Sequence, residues 1–78
     1  MNLRKLGELK KGMRGLIKRI DDSSSEFSRR LLEMGLIEGS TVEIVHEAPF
    51  GGDPIALRVR GSLVALRRNE ANRIEVEV

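Results

Sequence analysis

The residues of this chain with chemistry to offer crowd around one short stretch. His46, the single histidine, and Glu47 precede it, and Asp53 lies inside it. An imidazole and two carboxylates near one loop could hold Fe²⁺ or Zn²⁺ weakly, because such ions accept mixed nitrogen and oxygen ligands. The chain has no cysteine and no second histidine, so no dedicated metal or cofactor site is expected. Ser62, His46 and Asp53 could be drawn together as a hydrolytic triad, but those residue types are too common to make a pattern. Alternation along its strand places His46 on the core side near a strand end, where it reads as a rim residue rather than a general base. Neither a phosphate-cradling G-x-x-x-x-G-K-[ST] nor a strand–G-x-G-x-x-G–helix occurs. The chain therefore reads as a binding protein and not an enzyme.

The stretch itself is APFGGDPI, Ala48 to Ile55. It holds both prolines and one of the two aromatic residues, Phe50. Pro49 and Pro54 bracket a hairpin connection where neither has to donate a ladder hydrogen bond. Gly51 and Gly52 allow positive φ, and Asp53 can accept bonds from nearby amides. Turn chemistry leaves Phe50 unexplained. An aromatic there either folds back to plug the open end of the core or projects toward a partner. A domain of 78 residues needs every apolar group it has, which favours the plug.

The elements that position this loop follow from periodicity. Leu3, Leu6 and Leu9 recur at three residues and predict a turn of helix or a strap across the core. Residues 13–20, MRGLIKRI, predict the first strand, with Gly15 marking a bulge or bend. Ser23 with Glu26 fits a capping box and opens a helix to about Met34, with Phe27, Leu31 and Met34 on one buried face. Gly35 ends the helix in the left-handed conformation with Leu36 folding back, and Gly39 needs a positive φ in the next turn. Strands follow at 41–48, 55–60, 63–68 and 73–78, with Gly61–Ser62 as a two-residue turn and a short turn or helical turn at 69–72.

If Ala48 pairs with Ile55 and Arg60 with Leu63, one register places Val42, Ile44, Leu57, Val59, Val64 and Leu66 on the same side. A one-residue slip would turn all of them outward. About five short strands and one helix inserted after the first predict a mostly β fold, a small barrel whose closure protects strand edges. The opposite side carries Glu43, Val45, Glu47, Ala56, Arg58, Arg60, Leu63, Ala65 and Arg67. Cross-strand ion pairs on a solvated face account for part of this set. Leu63, Val45 and two alanines make it more apolar than such a face requires, and arginine suits anchoring. Val45, Phe50, Asp53, Arg58, Leu63 and Arg67 are therefore the candidate partner-binding residues. A homodimer could use the same surface.

Fourteen basic and 12 acidic residues leave a formal charge of +2. The signs are interspersed, and two aromatics are too few for a base-stacking platform, so no nucleic acid is expected as a partner. A nucleic-acid-binding small barrel is the alternative reading. Adjacent basic pairs occur at Lys10–Lys11, Lys18–Arg19, Arg29–Arg30 and Arg67–Arg68, but neighbours on a strand face opposite ways and make no patch. No segment approaches the roughly 20 apolar residues of a membrane span. The first residues lack the apolar core of a signal peptide. The expectation is a cytoplasmic protein with one domain spanning 1–78.

Taken in order, the motifs LLEMGL at the helix end, APFGGDPI, RVRG, LVALRR and EA before the last strand resemble the FeoA family, a small component of ferrous iron uptake. The resemblance runs from about residue 3 to the C-terminus. It implies an SH3-like β-barrel with one helix after the first strand. It also implies an accessory or regulatory role beside the transporter FeoB, a membrane permease with a cytosolic GTP-binding domain, which would bring the protein to the inner membrane face through its partner. A related SH3-like module accompanies the DNA-binding domain of iron-dependent repressors. Glu38 stands where the family often has proline, and Gly51–Gly52 lengthen the usual loop by one residue.

Overall fold

Two-residue alternation of apolar side chains organises most of the chain, and one helical segment closes the structure. A computed structural model describes residues 2–21 and 24–78, and of Ser25 the backbone alone. Its strands are β1 (Leu3–Lys5), β2 (Arg14–Ile20), β3 (Thr41–Glu47), β4 (Ile55–Val59), β5 (Ser62–Leu66) and β6 (Ile74–Glu77). They form one sheet in the order β1-β6-β2-β3-β4-β5, and every neighbouring pair is antiparallel. Helix α1 (Ser25–Glu33) follows β2, a short α2 (Arg68–Ala71) follows β5, and a 3₁₀ turn (Leu6–Glu8) follows β1. Among the described residues the strand count is six, because Leu3–Lys5 pairs with β6. All three of its residues are exposed, so it carries no periodic signal. Among the described residues no helix is long and apolar enough to cross a membrane.

Local chemistry explains the helix. The capping box expected at Ser23 lies outside the described residues. Ser24 is the N-cap, and its hydroxyl accepts from the Phe27 amide at 3.3 Å. Phe27 and Leu31 are buried and Met34 partly so. At the other end Gly35 takes φ 87°. The Leu36 amide folds back onto the Leu31 carbonyl at 2.9 Å, which satisfies a carbonyl that the helix itself leaves open. Gly39 also has positive φ, 91°. Gly15 marks no bulge. The irregularity of β2 lies between Ile17 and Arg19, and a Cβ on Gly15 would lie 2.9 Å from the Val76 side chain. Glycine is needed there for close approach.

The two hairpins show how parity protects a core. Val42 faces Val59 and Ile44 faces Leu57, two residues from the expected pairing. Val59 faces Ser62 and Leu57 faces Val64, again two residues off, because the turn is Arg60–Gly61 and not Gly61–Ser62. A shift of two keeps every side chain on its side of the sheet. Val42, Ile44, Leu57, Val59, Val64 and Leu66 are accordingly all buried.

Within these hairpins parity breaks at a β-bulge between Ile44 and His46. Val45 is the extra residue, and beyond it the facing inverts. His46 lies opposite Ala56 and is exposed, contrary to the core-side placement expected from strict alternation. Glu47 lies opposite the buried Ile55 and is half-buried.

β1 and β5 are the outer strands of the sheet and do not pair with each other. Side chains span the gap instead. The Arg68 guanidinium donates to the carbonyls of Gly7 and Leu9 at 2.8 and 2.9 Å, tying α2 to the strap that carries the buried Leu6 and Leu9. Helix α1 and the turn after it reach residues on either side of β5. Arg30 of the helix meets Glu70 at 3.3 Å past one end of that strand, and Gly35 approaches Arg60 before the other. Covering an edge with a helix is one way a sheet avoids pairing with another chain.

Candidate functional site

The loop between β3 and β4 is built by one arginine. Its Ala48 amide donates to the Pro54 carbonyl at 3.1 Å, closing the turn. From outside, Arg68 Nε donates to the Gly52 carbonyl at 2.9 Å and Arg68 Nη2 to Glu47 Oε1 at 2.6 Å. The Arg68 amide adds a bond to Asp53 Oδ1 at 2.9 Å. The planar fork of arginine thus serves the loop and the N-terminal strap at once. The second Glu47 oxygen accepts from the Lys11 amide at 3.0 Å. The inward turn that the bulge gives Glu47 makes this arrangement possible.

Held this way, the loop points Phe50 out. The ring is fully exposed, at 101%. The expected plug does not form, because the end of the core is already filled from the strap side by Leu6 and Leu9, both at 0% exposure. Phe50 has φ 62°, a left-handed conformation that costs a residue with a Cβ on the order of 1 kcal/mol or more. Among the described residues the only other non-glycine with positive φ is Arg60, at 50°. The two strained residues lie beyond opposite ends of β4, and both are exposed.

Between them stands the outer face of β2 to β5. One cross-strand row runs Arg14–Glu43–Arg58–Leu63. Glu43 Oε1 lies 3.9 Å from Arg14 Nε and 3.6 Å from Arg58 Nη1. These are ion pairs too long for hydrogen bonds, so both guanidinium groups keep their donors. The next row is His46–Ala56–Ala65. Leu63 is 67% exposed, an isolated large apolar side chain in a ring of arginine and alanine. Arg67 is exposed just past β5, where its amide donates to Glu70 at 3.1 Å.

Of the sequence-derived candidates, Arg58 and Leu63 are direct neighbours on this face. Val45 joins them half-buried, at the bulge. Phe50 and Arg67 flank the face, exposed. Asp53 is drawn aside to the Arg68 amide. Glu47, read as an outward residue, faces inward. Arg68 had no functional reading in the sequence, because its partners are mainly carbonyls distant in the chain, and carbonyls carry no sequence signature.

The imagined catalytic and metal constellations do not assemble. Ser62 and Asp53 lie at opposite ends of β4, about 13 Å of strand apart. His46 and Glu47 face opposite ways. Among the described residues no three His, Asp or Glu side chains gather where an ion could be held.

Comparison with known proteins identifies a family through the sequence and relatives of this architecture among solved structures. The sequence fits the FeoA domain family over residues 4–78. An Fe(2+) transport protein A/Fe(2+) transporter FeoB fusion protein of Porphyromonas gingivalis is 39% identical over 74 residues, which cover 95% of this chain and 8% of that protein. A FeoA-like protein from Clostridium acetobutylicum superimposes with a TM-score of 0.87 at 36% identity, covering 100% of this chain and 88% of that one. FeoA from Stenotrophomonas maltophilia complexed with zinc, described as a procaryotic SH3 domain protein, has a TM-score of 0.78 at 32% identity, with 92% and 87% covered. The sheet with its single long helix is thus the SH3-like fold expected from the motifs. With the match running from the first strand to the last, the chain belongs to the FeoA family.

Proposed function

We propose that this protein is an accessory of ferrous iron uptake that docks, through the outer face of β3 to β5, on the cytosolic GTP-binding part of a FeoB-type transporter. The observation that carries this reading is the relative in which an Fe(2+) transport protein A and a FeoB transporter are one chain, since covalent joining keeps two partners at high effective concentration. The exposed Leu63 beside Arg58, flanked by the exposed Phe50, has the composition of a small interface core and its rim. The role is one of binding and regulation, without a catalytic group or cofactor of its own, and it places the protein at the inner face of the membrane through its partner.

The experiment is co-purification of this chain with the GTP-binding region of its cognate transporter, together with the GTPase rate of that region. Binding that Leu63→Glu abolishes in a folded protein is the expected result. Absence of binding in the apo, GDP and GTP-analogue states would remove the reading.

A further inference from the structure

The outer face is more basic than the molecule that carries it. Arg14, Arg58, Arg60 and Arg67 stand there against Glu43. That is a net +3, whereas the whole chain carries +2, so the remainder of the molecule has net −1. The adjacent basic pairs of the sequence contribute only Arg67. The patch is made by strand pairing, which brings together residues 14, 58 and 60. Asp53, a carboxylate of the β3–β4 loop, is held by the Arg68 amide.

Resting on the docking role proposed above, we infer that the surface received by this face is an acidic protein surface, whose carboxylates enter between Arg14, Arg58 and Arg60 while an apolar side chain covers Leu63. Arg14, Glu43, Arg58 and Arg60 line a shallow cleft of about 210 Å³, large enough for a carboxylate and its ordered water. Among the described residues neither the Arg60 nor the Arg67 guanidinium has a carboxylate within 4.0 Å, although the Arg67 amide holds Glu70 at 3.1 Å. Arg14 and Arg58 share a single oxygen of Glu43 at ion-pair distance. Several guanidinium forks are therefore free to take carboxylates in the bidentate geometry that arginine favours.

Charge also selects among occupants. A second copy of the chain would bring its own net +3 against this one, and like charges across an interface are costly. All four cations are arginine, and they alternate with Glu43 and Leu63. That alternation sets a register for one complementary surface. A continuous phosphate backbone or an anionic bilayer would meet Glu43 as a repulsive centre.

The test is a binding titration with the GTP-binding region of the cognate transporter at 50 and 300 mM NaCl. Wild type, Arg60→Glu, Arg67→Glu and Leu63→Glu are compared, each with its thermal melt recorded. The expected result is a tenfold or greater weakening with salt, a similar weakening for either arginine reversal at low salt, and unchanged melting. Binding that is lost in Leu63→Glu but unmoved by salt and by both reversals would overturn the acidic partner while leaving the docking role standing. Failure of wild type to bind under any condition would remove both. Parallel titrations with phosphatidylglycerol vesicles and with a duplex oligonucleotide complete the experiment; tighter binding to either would overturn the inference in favour of a lipid or nucleic-acid surface.

Discussion

Arg68 Nη2 lies 2.6 Å from Glu47 Oε1, and through this pair the end of β3, the β3–β4 loop and the N-terminal strap become one unit. Both side chains are largely sheltered, at 22% and 30% exposure. The arginine also serves the carbonyls of Gly52, Gly7 and Leu9. Replacing Arg68 with methionine leaves these four acceptors without a donor, and each net hydrogen bond is worth about 0.5–1.5 kcal/mol. Arg68→Met should destabilise by about 2–4 kcal/mol in urea unfolding. Arg68→Lys should cost about half as much, because an ammonium cannot reach all the acceptors from one point.

Gly7 should tolerate no side chain. A Cβ there would lie 2.5 Å from the Arg68 carbonyl and closer still to the Asn72 side chain, and a carbonyl in α2 cannot move without the helix. Gly7→Ala should cost about 1–3 kcal/mol, the usual range for overpacking, seen as a lowered thermal midpoint. Gly51→Ala meets no atom within 4 Å, but its φ of 107° makes that change costly for a different reason.

The two phenylalanines should behave oppositely. Phe27 is 5% exposed and carries the Arg73 guanidinium 3.9 Å above its ring. Phe27→Ala should cost about 3–5 kcal/mol. Phe50→Gly removes a fully exposed ring and relieves a left-handed backbone, so stability should change by less than about 1 kcal/mol. Binding to the transporter should nevertheless weaken. If Phe50→Gly lowers stability as Phe27→Ala does, the ring packs in solution.

Ser24 should be a measurable cap. Ser24→Ala removes the acceptor for the Phe27 amide and should cost about 1 kcal/mol. Ser24→Asp should recover most of that, since a carboxylate also suits the N-terminal end of the helix dipole. Circular dichroism melts of the three proteins decide it.

Much of the fold was legible because alternation is insensitive to even errors. The pairing of Val42, Ile44, Leu57, Val59, Val64 and Leu66 can slip by two residues without any of them leaving the core. The same logic explains what was hidden. Val45 looks like any alternating residue, so nothing in TVEIVHE announces that it is supernumerary, and His46 and Glu47 were assigned to the wrong sides. The outward path of Phe50 rests on the sign of one dihedral and on three bonds from Arg68. None of these is a property of neighbouring residue types. The outer face was legible in composition, through Arg58 and Leu63. Its charge was not, because Arg14 joins it only by pairing with Glu43.

The bulge at Val45 gives the chain a hinge in its hereditary options. Deleting that residue would restore simple alternation and leave His46 outward and Glu47 inward, because Ile44, His46 and Glu47 already face Leu57, Ala56 and Ile55 in turn. Adding one residue after it would instead exchange the two, so that the loop would lose its anchor and the docking face a row. Insertions at Gly51–Gly52 disturb neither, since both lie beyond Glu47. Length is thus free to drift at the loop tip, whereas beside Val45 the strand can lose its extra residue but cannot gain another. Natural variation in this domain should gather glycines and extra residues in the first place and show no single-residue insertion in the second.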